Sequence, residues 1–199
     1  MTSIKDAIKN FETKSGTPEE PCVAAEQEKV LLFGQMPPIV KMDNTLSTLK
    51  ACKHLALSSN CIEKITGIKG CESLEVLSLG RNQIKKLDGV EDVSETLQEL
   101  WISYNLLTSL RGVEKLSKLR VLYVANNLVA KLPELDVLKE CKLLEELLLV
   151  GNPIWDELSK PGGPEDFREQ IAGRVPWLKK LDGSPLTEEE KTAGAEKVP

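Results

Sequence analysis

Leu74 to Leu87 reads LEVLSLGRNQIKKL, and the same apolar template recurs on both sides of it at nearly constant spacing. Written L-x-x-L-x-L-x-x-N-x-I-x-x-L, this copy puts Leu74, Leu77, Leu79, Ile84 and Leu87 in apolar slots and Asn82 in the single polar slot. The polar slot recurs as Asn60, Asn82, Asn105, Asn127 and Asn152, separated by 22, 23, 22 and 25 residues.

That period, with leucine in the strand slots, is the signature of a leucine-rich-repeat solenoid of the 22-residue class. The pairs Leu55/Leu57, Leu77/Leu79, Leu100/Ile102, Leu122/Val124 and Leu147/Leu149 have the period-2 spacing of a short strand with one buried face. Ile62/Ile65, Ile84/Leu87, Leu107/Leu110 and Val129/Leu132 return the chain over the same core. One repeat cannot bury these side chains alone, so copies must stack into a continuous parallel sheet. The fold class is therefore α/β, with about six parallel strands and short helices on the opposite side. The Asn has a structural task. Turning off a strand frees backbone N–H and C=O groups, which a buried amide can satisfy in its own turn and in its neighbour's.

The chain divides into an N-terminal helix and loop cap (1–28), repeats, one degenerate and five clear (29–163), a C-terminal cap (164–185) and a final helix or tail (186–199). Ile4, Ala7, Ile8 and Phe11 share one helical face, with Ser3 and Asp6 spaced as a capping box. In the degenerate copy Leu32 falls in the first strand slot, Ile39 and Met42 in the return slots, and Pro37 where the Asn would be. PELDVLKECKLL is longer than the equivalent segments and is expected to form a fuller helix. Phe167, Ile171 and Val175 mark a cap helix finished by VPWLKKLDG. Thr187 and Glu190 form a second capping box, and Ala193 to Pro199 is expected to fray.

Net charge is -5, which argues against a dedicated nucleic-acid binder. No apolar run approaches the ~18 residues of a membrane span, and Met1 to Asn10 lacks a signal-peptide core, so the chain reads as cytosolic. The five cysteines form no C-x-x-C pair and read as reduced thiols packed in the core. His54 is the only histidine, and no phosphate loop, nucleophile elbow or zinc-protease motif occurs. An enzyme reading has no support, and no cofactor or metal is expected.

A solenoid of this kind has no built-in pocket, so function is sought on the exposed side of the sheet. By parity the outward residues are His54/Ala56/Ser58, Val76/Ser78/Gly80, Glu99/Trp101/Ser103, Val121/Tyr123/Ala125 and Glu146/Leu148/Val150, with Phe33 adding a sixth row. Trp101, Tyr123 and Leu148 share one column, with Val121 and Val150 beside them and Glu99 and Glu146 at the rim. An exposed aromatic patch with a charged rim has the composition of a protein-binding hot spot. The alternative is that the N-terminal segment or the C-terminal tail folds over it. A second column is basic: Lys41, Lys64, Lys86 and Lys131 recur four residues after the ladder position, with Ser109 interrupting. Such a run is either solvated surface or a site for an acidic partner such as tubulin.

The runs LSTLKACKHLALSSNCIEKI, LSLGRNQIKKLDGVE, TLQELWISYN, LRVLYVANN and VPWLKKLDGSP, with MPPIV and KMD before them, resemble the leucine-rich-repeat light chains of axonemal outer-arm dynein. The likeness extends from about Ile4 to Pro185, and Val40 departs from an acidic residue common in the family. It implies a non-enzymatic light chain, monomeric within a larger complex in the cytoskeleton of the cilium or flagellum axoneme. Such a chain binds a dynein heavy chain at the microtubule-binding domain of its stalk. It also implicates the segment beyond the cap, where Ser184, Thr187 and Lys191 stand. The competing class is a repeat subunit of a phosphatase or other signalling complex, built from the same units and cap.

Overall fold

A computed structural model describes residues 1–155 and 164–198. Its spine is one sheet whose spatial order follows chain order: β1 (Lys29–Leu31), β2 (His54–Ala56), β3 (Val76–Ser78), β4 (Glu99–Trp101), β5 (Val121–Tyr123), β6 (Glu146–Leu148), β7 (Lys180–Leu181) and β8 (Ser184–Pro185). Strands β1 to β7 pair in parallel and β8 returns antiparallel on β7. The about six strands expected from the repeat are thus extended to eight by the cap.

The slot residues from Leu55 to Leu149 face a single core and are essentially inaccessible to water, except Leu132, which is half-buried against it. The opposite side is closed mostly by 3-10 turns, including Asn44–Thr48, Val90–Val93 and Val113–Lys115. Ten residues or fewer must cross the width of the core there, and a 3-10 turn advances about 2.0 Å per residue against 1.5 Å for an α-helix. The longer segment Leu132–Glu140 is also 3-10, which corrects the expectation of a fuller helix only in its winding.

The Asn ladder links each turn to the one before it. Asn105 accepts the Ile84 N–H at 2.9 Å on Oδ1 and donates Nδ2 to the carbonyls of Leu79 and Ile102, each at 3.0 Å. Asn60, Asn82, Asn127 and Asn152 repeat this pattern. The residue before each ladder Asn takes a left-handed backbone: Ser59, Arg81, Tyr104 and Asn126 at φ 53 to 59°, and Gly151 at 76°. A non-glycine residue there costs about 1–2 kcal/mol. The conformation turns the chain sharply enough to aim the following Asn inward, and the N–H groups of Ser59, Arg81, Tyr104 and Asn126 each donate to the next repeat.

The degenerate copy is shifted from its expected register. Val30 pairs with Leu55, so Val30 takes the first strand slot and Leu32 the second. Pro37 does occupy the Asn slot, because Ile39, two residues on, donates to Asn60 as Ile62 does to Asn82.

At the N-terminus α1 (Ile4–Ser15) buries Ile4 and Ala7 and is capped by Ser3, whose Oγ accepts the Asp6 N–H. At the other end α2 (Pro164–Arg174) buries Phe167 and Ile171 against the last repeat. Asp182 explains the L-D-G run: its Oδ1 accepts the Leu149 and Val150 N–H groups at 2.6 and 2.9 Å, where no further repeat follows. The last helix, α3 (Glu188–Lys197), opens with the Thr187–Glu190 capping box and packs on α2. The expectation that Ala193 to Pro199 frays is therefore corrected up to Lys197; Pro199 lies outside the described residues, as does the expected end of the repeats at 163.

Candidate protein-binding face

Parallel three-residue strands present every second side chain to the open face. Register places Ser78, Trp101, Tyr123 and Leu148 in one row across β3 to β6. Trp101 and Tyr123 stack with ring centroids 6.0 Å apart and planes 20° apart. His54 meets the Trp101 ring edge-on at 5.4 Å and 78°. On the intervening strand β3, Val76 is in register with His54 and the small Ser78 with Trp101. The sequence marked His54 as a surface or interface residue of this face; its contact with Trp101, two strands away, joins it to the aromatic cluster.

The polar tips of both aromatics are held by the rim. Trp101 Nε1 donates to Glu99 Oε2 at 3.0 Å, and the Tyr123 hydroxyl donates to Glu146 Oε1 at 2.9 Å. Lys180 adds an ion pair to Glu146 at 3.1 Å. Burial, the Glu146 hydrogen bond and the nearby carboxylates push the Tyr123 phenol up to about 12. Burial, with the Lys29 charge, lowers the His54 pKa. Among the described residues His54 Nε2 has no hydrogen-bond partner, and no cluster of His, Cys, Asp or Glu is gathered to hold a metal.

Trp101, Tyr123, Val121, Leu148, Glu99 and Glu146 are half-buried, and Val150 and Phe33 are exposed. Among the described residues the candidate covers pack elsewhere: α1 against Ala24–Glu26 and Asn44–Thr48, and α3 against α2. The exposed apolar surface continues over the edge where the strands end, through Tyr104, Leu106 and Leu128, with the Arg81 guanidinium 4.5 Å from the Tyr104 ring centroid. Sequence reasoning missed these three because they flank the ladder Asn, where strand alternation has already ended.

Lys41, Lys64 and Lys86 sit on successive turns along clefts of about 290 and 480 Å³, interleaved with Glu63 and Asp88. They form no salt bridge among the described residues. Lys131 stands apart, two turns beyond Lys86. Ser184 lies exposed in β8, while Thr187 is engaged as the α3 cap and Lys191 pairs with Glu188 at 3.0 Å. No helix among the described residues is long and apolar enough to cross a membrane.

The Leucine Rich repeats (2 copies) family matches residues 50–92 and 95–137. A Chlamydomonas reinhardtii protein named Dynein axonemal light chain 1 is 56% identical over 190 residues, covering 96% of this chain and 93% of its own. The Danio rerio protein of the same name is 53% identical over 194 residues, covering 97% of each. A chain of the Drosophila melanogaster SNF/U2A' complex shares the fold, with a TM-score of 0.66 at 21% identity over 79% of this chain and 92% of that one. Repeat geometry and near full-length identity agree, and the chain belongs to the dynein axonemal light chain 1 family of leucine-rich-repeat proteins.

Proposed function

We propose that this chain is a non-catalytic light chain of axonemal outer-arm dynein that binds a heavy chain through the face around Trp101 and Tyr123. The contact lies at the microtubule-binding domain of the stalk, and through it the light chain helps regulate motor–microtubule interaction and ciliary or flagellar beating. One observation carries the reading: relatives bearing the dynein light chain name are more than half identical across nearly the whole chain, and this chain leaves a stacked Trp–Tyr pair open to a partner. Stacked aromatics ringed by charge are the residue types that dominate binding energy at protein interfaces.

The test is binding of the purified chain to isolated heavy-chain stalk-tip fragments, with Trp101→Ala beside it. The expected result is a complex that the variant weakens by at least about 2 kcal/mol while remaining folded. Unchanged affinity in the variant refutes the face, and co-purification with a phosphatase catalytic subunit instead of a dynein heavy chain refutes the assignment.

A second contact, with the acidic surface of tubulin, is proposed for the lysine edge. It is favoured by three successive turns carrying Lys41, Lys64 and Lys86 beside the same clefts.

A further inference from the structure

The two carboxylates on the rim of the aromatic face are not equivalent. Glu146 is paired within the chain with Lys180 and accepts a hydrogen bond from the Tyr123 hydroxyl. Glu99 accepts only the Trp101 indole N–H and has no cationic partner among the described residues. Next to it a cleft of about 170 Å³ is lined by Gln98, Glu99, Arg120, Val121 and Glu145. The one cation on that lining, Arg120, is already bound to Glu145 at 3.1 Å. Glu145 is held by Lys179 as well, at 3.2 Å, so the carboxylate left without an ion pair at this cleft is Glu99, beside an apolar wall at Val121.

We infer that the protein covering this face inserts a lysine or arginine side chain beside Glu99, its stem against Val121 and its charge on the Glu99 carboxylate oxygen that the Trp101 N–H leaves free. This rests on the face being the docking surface, and it adds the chemistry that the partner must supply. A cation so placed pairs with the carboxylate through a charge-assisted hydrogen bond. The stem of such a side chain covers apolar surface while its head stays paired. Once the partner excludes water, the charge pair strengthens, because screening and dielectric both fall.

The test uses the full chain and a heavy-chain stalk-tip fragment, with affinities measured at low and high salt. Glu99→Gln keeps an oxygen to accept the Trp101 N–H and removes only the charge. The expected loss is about tenfold at low salt, shrinking as salt rises, and Glu99→Lys loses more. Glu146→Gln, whose charge is already matched, loses less than Glu99→Gln, and Glu72→Gln, on the distant Lys50 pair, is the control. If Trp101→Ala weakens binding while Glu99→Gln does not, the inserted cation is refuted and the docking face stands. If Trp101→Ala has no effect, both fall. A Glu146→Gln loss equal to or larger than that of Glu99→Gln also overturns the inference.

Discussion

Gly173 of α2 and Gly194 of α3 meet backbone to backbone: a methyl carbon on Gly194 would fall 2.6 Å from the Gly173 nitrogen, and one on Gly173 would fall 2.6 Å from the Gly194 carbonyl carbon. The closest atoms on each side are main chain, which cannot swing aside. Around this crossing, Glu190 is held by Arg168, and Lys197 by Asp166 and Glu169. Gly194→Ala should therefore push α3 off α2 and cost about 1–3 kcal/mol, the usual range for overpacking. Hydrogen exchange should then rise across residues 188–197 and leave the repeat strands protected. Unchanged protection of α3 would mean that the ion pairs, and not the close approach, hold the helix.

Asn105 lies at the middle of the ladder, where it ties its own turn to the preceding one. Asn105→Ala leaves the buried Ile84 N–H without its side-chain acceptor, while the Leu79 and Ile102 carbonyls lose one donor each and keep Asn82 and Asn127. A buried orphan group costs about 1–3 kcal/mol, so a loss in that range in urea unfolding is expected. Asn105→Asp should be no rescue: it can still accept the Ile84 N–H, but it buries a carboxylate and sets its second oxygen against the Leu79 and Ile102 carbonyl oxygens.

These two features differ in how much of them the sequence carried. Leucine slots and ladder Asn residues recur in phase, so the interior was legible from periodicity alone. The left-handed turn before each Asn was not, because Ser59, Arg81, Tyr104 and Asn126 share no side-chain chemistry; they share a backbone shape imposed by the turn. Docking of α3 left no apolar stripe to read, since it works through two glycines and ion pairs, and a glycine inside GluLysThrAlaGlyAlaGlu reads as a helix breaker. At the candidate face, strand parity identified Trp101, Tyr123 and Leu148 as outward residues. The cluster with His54, and the inequality of Glu99 and Glu146, depend on neighbours from other turns and on the cap residue Lys180, which no single repeat contains.

Tyr123 gives a pH test of the rim. Its phenol is raised from an ordinary value of 10.0 to about 12, first by burial and then by Glu146. A group whose pKa is higher in the fold stabilises the fold while protonated. The contribution is fully present below about 10, declines from there, and is gone above about 12. With Tyr104 replaced by Phe to remove the other phenol, phenolate absorbance of the folded chain should titrate near 12. Glu146→Gln should bring that midpoint down, and a midpoint that stays put would deny the hydrogen bond its role.

The lysine edge makes a prediction that separates geometry from total charge. The chain is acidic overall, at -5, so any attraction to an acidic filament must come from a local cluster. Lys64 and Lys86 line the same cleft on adjacent turns, whereas Lys131 follows the Ser109 interruption and stands alone. The purified chain is expected to pellet with microtubules at low salt and to be released as salt rises, because contacts between exposed charges are screened within about 10 Å at 0.1 M. The double change Lys64→Glu and Lys86→Glu should abolish pelleting, while Lys131→Glu, a smaller and isolated charge change, should only weaken it. Equal loss per reversed charge at all three sites would point to net charge alone, and no pelleting by the unmodified chain at low salt would remove the tubulin contact altogether.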